Sequence, residues 1–356
     1  MKRLLTIIAA VATVATASAE WKIAGDKIRT TWAENIDPNN VLAQYPRPQL
    51  ERADWVNLNG LWDYAITDLT AAQPTAFDGQ ILVPFAVESA LSGVQKRVTK
   101  DNILWYSRTF TVPAAWASKR VMLNFGAVDW SAEVYVNGIL VATHTGGYAP
   151  FSADITAALT KKGPQSLVVR VWDPTDSVHH PVGKQRLNPS GIWYTAVSGI
   201  WQTVWMEPVD KTHITSYYPV GNLAKSLITV DVKTANAYSR DVIKVELLEG
   251  GVGYNPEKPS ETVLAEAVVS KGKAVLNVPE MKTWSPDSPY LYGLRITITR
   301  DEKVIDQIEG YTAMRSISAK KDKSPNQYKR MALNGENLFQ YGPLDQGWWP
   351  DGLYTA

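Results

Sequence analysis

The sequence predicts an all-β chain built as two successive sandwiches, and three observations carry that prediction. From about Trp55 onward the chain is a series of short alternating runs separated by turn residues. No amphipathic helical stretch of more than about ten residues competes with them over the first half. Tryptophan then divides the chain: eleven of the fourteen lie between Trp21 and Trp205, and only Trp284 falls between 211 and 330. The length of 356 residues agrees with two units, at roughly 100–200 residues per domain.

Residues 1–19 are set aside first. Lys2 and Arg3 form a charged start, and Leu4 to Val14 make an apolar stretch too short to span a bilayer. Ala17-Ser18-Ala19 supplies the small residues that a signal peptidase requires, so cleavage after Ala19 and a secreted or periplasmic product are expected. Residue 20 is Glu, which excludes a lipoprotein anchor at this cleavage site. No later stretch approaches the roughly 18 continuous apolar residues of a membrane helix, so no membrane span is expected.

The first sandwich is read over 20–208. It opens with a polar, Pro-dotted, irregular stretch to about residue 50 and continues with β-type runs at 60–66, 103–112, 120–125, 132–136 and 166–172. Asn137-Gly138 joins two of these runs, the strongest short-range hairpin signal available. Runs this dense predict a jelly-roll sandwich. A second set, at 226–232, 241–248, 273–278 and 292–300, fits an immunoglobulin-like sandwich over 209–318. Gly250-Gly251 and residues 255–259 read as one long loop between its strands. Residues 319–356 begin with a charged, turn-rich linker and are far too short for a domain, since a TIM barrel takes about 250 residues.

Composition narrows the function. A net charge of +1 provides no basic field for nucleic acid. The absence of cysteine removes thiol nucleophiles and Cys-based metal sites, and leaves stability to core burial. The four histidines are His144, His179, His180 and His213; neighbours in a strand point to opposite faces, so the His179-His180 pair is not expected to chelate a metal. No cofactor is expected either. Trp and Tyr, 14 and 16 against 6 Phe, suit sugar stacking and sandwich cores equally well.

Several motifs, taken in order, carry a family resemblance. Asp54-Trp55-Val56-Asn57-Leu58-Asn59-Gly60-Leu61-Trp62 resembles the opening strand of the sugar-binding domain of glycoside hydrolase family 2. Residues 83–89 (Val83 to Ser89), 104–110 (Leu104 to Phe110), Val134-Tyr135-Val136-Asn137-Gly138 and Ser198-Gly199-Ile200-Trp201 follow in the family's order. The second sandwich and residues 310–315 look like the family's middle domain. Leu333-Asn334-Gly335-Glu336-Asn337 resembles the strand that leads into the catalytic TIM barrel. The resemblance implies a front portion cut off at the start of that barrel.

It also implies hydrolysis of β-linked glycosides, a reaction that needs two carboxyl groups about 5–5.5 Å apart. The family's glutamates lie deep in the barrel, the acid/base one within an Asn-Glu dipeptide, which this sequence does not contain. No catalytic residue is therefore carried over. Front-domain loops in the family reach toward the sugar, which makes Asp101, Asn102, Asn188, Ser190 and Trp193 candidate contacts. Trp348, Trp349 and Asp351 are candidates as a barrel-mouth subsite. Asp and Asn before a strand, as at Asp101 and Asn102, are usually turn formers, Trp193 is more often core than platform, and a Trp pair is routine as packing between domains.

The expected function is thus the N-terminal portion of a secreted glycosidase, inactive by itself, with carbohydrate as partner and a homo-oligomeric parent compatible with the resemblance. The alternative is a non-catalytic carbohydrate-binding sandwich protein, and an adhesive sandwich ranks last. Without a barrel, residues 331–356 are expected to lack a hydrophobic partner and to lie loosely.

Overall fold

The computed structural model describes residues 21–278 and 280–356; the expected leader, residues 1–19, lies outside them. The described residues form strands and a few short 3₁₀ turns, and no helix among them is long and apolar enough to cross a membrane.

The first sandwich pairs a six-stranded and a four-stranded antiparallel sheet. The larger runs in the order Gly79–Val83, Gly60–Asp68, Asn102–Phe110, Gln165–Trp172, Ser131–Val136, Ile139–Thr145. The smaller runs Val56–Asn57, Val204–Val209, Arg120–Phe125, Phe151–Asp154. Alternation explains the packing. In Ser131–Val136 the residues Ala132, Val134 and Val136 point into the core while Ser131, Glu133 and Tyr135 are half-buried. They meet Trp62, Tyr106, Leu123, Phe125, Leu167 and Met206 from both sheets. Trp62 keeps its indole N–H satisfied on the Leu58 carbonyl at 2.8 Å, as a buried Trp must. Asn137 and Gly138 turn the chain with φ of 50° and 78°, the doubly positive geometry of a type I′ hairpin.

The second sandwich pairs His213–Asn222, Leu227–Ala235 and Lys273–Asn277 with a sheet ordered Val263–Val268, Val242–Val252, Tyr290–Arg300, Lys303–Thr312. Ile228, Val230, Leu247, Leu294, Ile296 and Ile298 fill the space between them. Gly250 and Gly251 are not part of a loop here. They lie within Val242–Val252, where the pairing register slips between Leu248 and Gly251. A side chain at Gly250 would collide with the Leu291 carbonyl, so the two glycines form a bulge in the strand, and the loop begins only beyond Val252. A small three-stranded sheet, Ile317–Lys321, Lys329–Leu333 and Glu336–Asn337, follows.

A strap from the irregular N-terminal stretch joins the two sandwiches. Leu50 is buried in the second core, and Glu51 exchanges backbone hydrogen bonds with Glu309 at 2.9 and 3.0 Å. Arg52 then lies between two buried carboxylates, Asp306 of the second sandwich at 2.9 Å and Glu207 of the first at 3.5 Å. Glu207 also accepts from Arg47 at 2.8 Å and from the Trp205 indole at 2.9 Å. A few residues within the stretch read from sequence as the first sandwich therefore add to the second.

Residues 331–356 depart from expectation in their second half. Phe339, Tyr341 and Leu344 are exposed, whereas Asp351, Leu353 and Thr355 are buried. Thr355 donates to the carbonyls of Trp201 (2.6 Å) and Pro84 (3.1 Å), and Leu353 packs with Ala86 and Val197. The first sandwich itself supplies the apolar partner that the sequence reading expected to be missing.

Candidate functional site

The sequence-nominated residues fall on three segments around one end of the first sandwich. Asp101 and Asn102 sit at the turn leading into Asn102–Phe110. The Asn102 side-chain oxygen accepts from the Thr99 N–H (3.0 Å) and hydroxyl (2.9 Å), so it closes a turn. Asp101 is exposed and ion-pairs with Lys100 at 2.8 Å.

Asn188, Ser190 and Trp193 lie on the loop between Gln165–Trp172 and Gly199–Ile200. A parallel bridge between Gln185 and Tyr194 closes this loop: the Arg186 N–H donates to the Tyr194 carbonyl at 2.8 Å and the Tyr194 N–H to the Lys184 carbonyl at 2.9 Å. Arg186 lies over the Trp193 ring at 3.8 Å. Arg97, from the turn region before Asp101, donates to Asn188 at 3.3 Å, and this brings the first two segments together. Ser190 is exposed, and its carbonyl accepts the Trp193 N–H at 3.1 Å.

Trp348, Trp349 and Asp351 divide between two sides of the docked C-terminal segment. Trp348 stacks on Tyr194 with centroids 4.5 Å apart and meets Tyr354 edge-on at 4.6 Å. Tyr354 continues the row onto Trp201 at 5.1 Å and Tyr148 at 5.9 Å. Trp349 faces away from this row, toward Trp32, at 6.0 Å. The Asp351 carboxylate is occupied: it accepts from the Thr30 N–H at 2.7 Å and the Thr30 hydroxyl at 2.8 Å. It anchors chain rather than facing solvent.

Beneath the loop lies a polar hub that sequence reasoning missed. Glu88, Asp129 and Asp173 are all buried. Ser198 links two of them, donating its N–H to Glu88 at 2.9 Å and its hydroxyl to Asp173. Gln185 donates to Asp129 at 2.8 Å while its carbonyl oxygen accepts the Val197 N–H at 2.7 Å. Burial pushes the Glu88 carboxyl up to about 8. Burial, then the neighbouring Asp173 and Glu88 charges, pushes Asp129 up to about 8, and burial raises Asp173 as well. Glu88 and Asp129 hold protons near neutrality, and all three acids act as hydrogen-bonding anchors for residues 174–198.

The same burial keeps them from a glycosidic bond. Glu88, Asp129 and Asp173 are therefore structural acids. Among the described residues no group of three or more His, Asp and Glu converges as a metal site. His180 packs its ring on Trp130 at 4.3 Å. The Ser198-Gly199 signature has a local reason: Gly199 has φ +84°, and a side chain there would strike the Tyr106 hydroxyl, which accepts the Ile200 N–H at 3.2 Å.

Two tandem antiparallel sandwiches, with the sequence-nominated loops gathered at one end of the first, define an all-β two-module class of protein. Residues 89–206 match the family model described as glycosyl hydrolases family 2, sugar binding domain, and residues 212–315 match that of glycosyl hydrolases family 2. The two matches cover more than half of the chain, and the chain belongs to glycosyl hydrolases family 2.

It is similar to a beta-galactosidase of Thermoanaerobacter pseudethanolicus, 28% identical over 313 residues, which covers 84% of this chain and 40% of that protein. It is similar also to a beta-glucuronidase of Paenibacillus borealis, 25% identical over 319 residues, covering 84% of this chain and 50% of the relative. Among solved structures, a Ruminococcus gnavus beta-glucuronidase matches with a TM-score of 0.68 at 20% identity, over 86% of this chain and 52% of that one. That likeness establishes the fold. The chain spans about half or less of the length of these proteins.

Proposed function

We propose that this chain is the N-terminal portion of an exported glycoside hydrolase acting on β-linked glycosides, and that it does not turn over substrate by itself. In this reading the first sandwich supports a catalytic domain and lends it loops. The observation that carries it is the docked segment Trp348 to Thr355, which places an aromatic row against the Arg186–Trp193 loop that also bears Asn188 and Ser190. The relatives' names, a beta-galactosidase and a beta-glucuronidase, support β-galactosides or β-glucuronides as the substrate class. The buried state of Glu88, Asp129 and Asp173 supports inactivity of the isolated chain.

The test is hydrolysis of nitrophenyl β-D-galactoside and β-D-glucuronide. It compares the gene product that carries these residues in its source organism with the 356-residue chain alone. Turnover by the first and none by the second is expected. Turnover by neither, or by the chain alone, overturns the reading. Export is checked by the mass of the product outside the cytoplasm, expected to begin at Glu20.

A further inference from the structure

Glu51 lies where the strap meets the second sandwich, and its surroundings carry an excess of negative charge. It exchanges two backbone hydrogen bonds with Glu309, so the two form a directly opposed antiparallel pair. Their side chains share one face, with Cα atoms about 5.5 Å apart. The pair extends a row across the sheet, in which Glu309 is opposite Arg295 and Arg295 opposite Glu246. From Glu246 to Glu51 the row holds three carboxylates and one cation. Like charges directly opposed across strands destabilise a sheet.

The cations around this row are already committed. Arg295 donates to Glu309 at 2.8 Å and pairs with Glu261 at 3.3 Å. Lys244 holds Glu246 at 2.7 Å, and Arg52, the next residue of the strap, is taken by Asp306 and Glu207. Glu51 is left with Glu257 and Glu309 as its principal charged neighbours. It is only 9% exposed, and neither its Oε2 nor that of Glu309 has a hydrogen-bond partner. The loop beyond Val252 adds Tyr254 as well as Glu257, and His213–Asn222 adds Tyr217. Both hydroxyls are buried over glycines, Tyr254 on Gly293 and Tyr217 on Gly310, and both lack partners. Neither therefore offsets the charge. Burial, then Glu257 and Glu309, pushes the Glu51 carboxyl up to about 7, and burial raises Glu309 against the pull of Arg295.

We propose that Glu51 is a pH-sensitive latch between the two sandwiches: protonated, it lets the strap lie on Lys303–Thr312, and ionised beside Glu309 and Glu257 it weakens that hold. Leu50 in the second core and the ion pairs of Arg52 persist in either state, so the strap loosens without detaching. The latch uses only the strap and the second sandwich and does not rest on the glycosidase reading. When the strap lifts, the Glu51 carboxyl returns to water and to its ordinary value of 4.5. Between that value and about 7 the closed strap therefore binds a proton that the lifted strap has released. Closure is fully favoured below 4.5, weakens as pH rises through 7, and is level above it.

Hydrogen exchange at the Glu51 and Glu309 amides reads the latch, expressed as protection factors so that the intrinsic pH dependence of exchange cancels. In the native chain protection is expected to fall about ten-fold between pH 6 and pH 8.5, and in Glu51→Gln this loss is absent. Other buried acids act equally in both chains, so the difference between the profiles isolates Glu51. Parallel profiles overturn the proposal. A carbon-13 titration of the Glu51 carboxyl in the native chain needs no variant: a midpoint near 7 is expected, and one near 4.5 overturns it. Millimolar calcium is expected to leave exchange at pH 8.5 unchanged. Slowing by calcium would place a cation rather than a proton between the carboxyls and would also overturn the latch.

Discussion

Replacing Glu88 with glutamine tests whether the buried acids hold protons at neutral pH. Glu88 packs against Ser198, Asp173 and Asp129, with the Tyr106 hydroxyl beside it, and its second oxygen has no hydrogen-bond partner. Burial raises its carboxyl from 4.5 to about 8, which is between three and four pKa steps at about 1.4 kcal/mol each. The folded state therefore binds a proton that the unfolded chain has released once pH exceeds about 4.5. By linkage, stability is fully present below that value, falls as pH rises toward about 8, and is level above it. The loss attributable to Glu88 is on the order of 5 kcal/mol. Asp129 works in the same direction.

Glutamine keeps an acceptor for the Ser198 N–H and cannot ionise. Chemical denaturation between pH 5 and pH 8.5 is the assay, with stability taken from the transition midpoint and slope. The Glu88→Gln chain is expected to be close to the native chain at pH 5 and clearly more stable at pH 8.5, with a flatter profile between. Parallel profiles for the two proteins would refute the buried-proton reasoning, whatever their absolute stabilities.

The strap between the sandwiches gives a second test: Arg52→Met leaves Glu207 and Asp306 without their shared cation and is expected to cost about 3–5 kcal/mol, read as a lower urea midpoint. Trp62→Ala, which empties the centre of the first core, is expected to cost about 3–5 kcal/mol in the same measurement. Gly138→Val at φ +78° strains the type I′ turn and should cost about 1–2 kcal/mol, while Asn137→Gly keeps the turn but loses the side-chain bonds to Ala158, Gln165 and Ser166 and should cost a comparable amount. Asp351→Ala frees Thr30 at one end of the 30–44 stretch, and faster cleavage of that stretch in limited proteolysis is the expected outcome.

Local rules were enough for most of the fold. The run 132–136 alternates, the Asn137-Gly138 turn follows, and each appears where the pattern puts it, because strand period and turn type depend on neighbours in sequence. Gly250-Gly251 shows where local rules stop. A glycine pair reads as a loop, yet a bulge looks the same in sequence, and only the approach of the Leu291 carbonyl distinguishes them.

The site was legible only as a set of places. Asn188 and Trp193 were identifiable because a recognisable motif follows them, but Glu88, although inside the 83–89 motif, and Asp129 and Asp173 carried no period that singles them out. Their role arises from meeting one another and Ser198 across the first sandwich. Thr30 and Asp351, 321 residues apart, form a contact that no window along the chain contains. Glu88 and Asp351 share one physical feature: a buried carboxyl that accepts a backbone N–H from a distant segment. Desolvation makes such an acid costly unless that segment is in place. Each carboxylate therefore fixes the loop that satisfies it. This is why polar residues that are hard to read in the sequence are the ones that position the loop at 174–198 and the docked C-terminal segment.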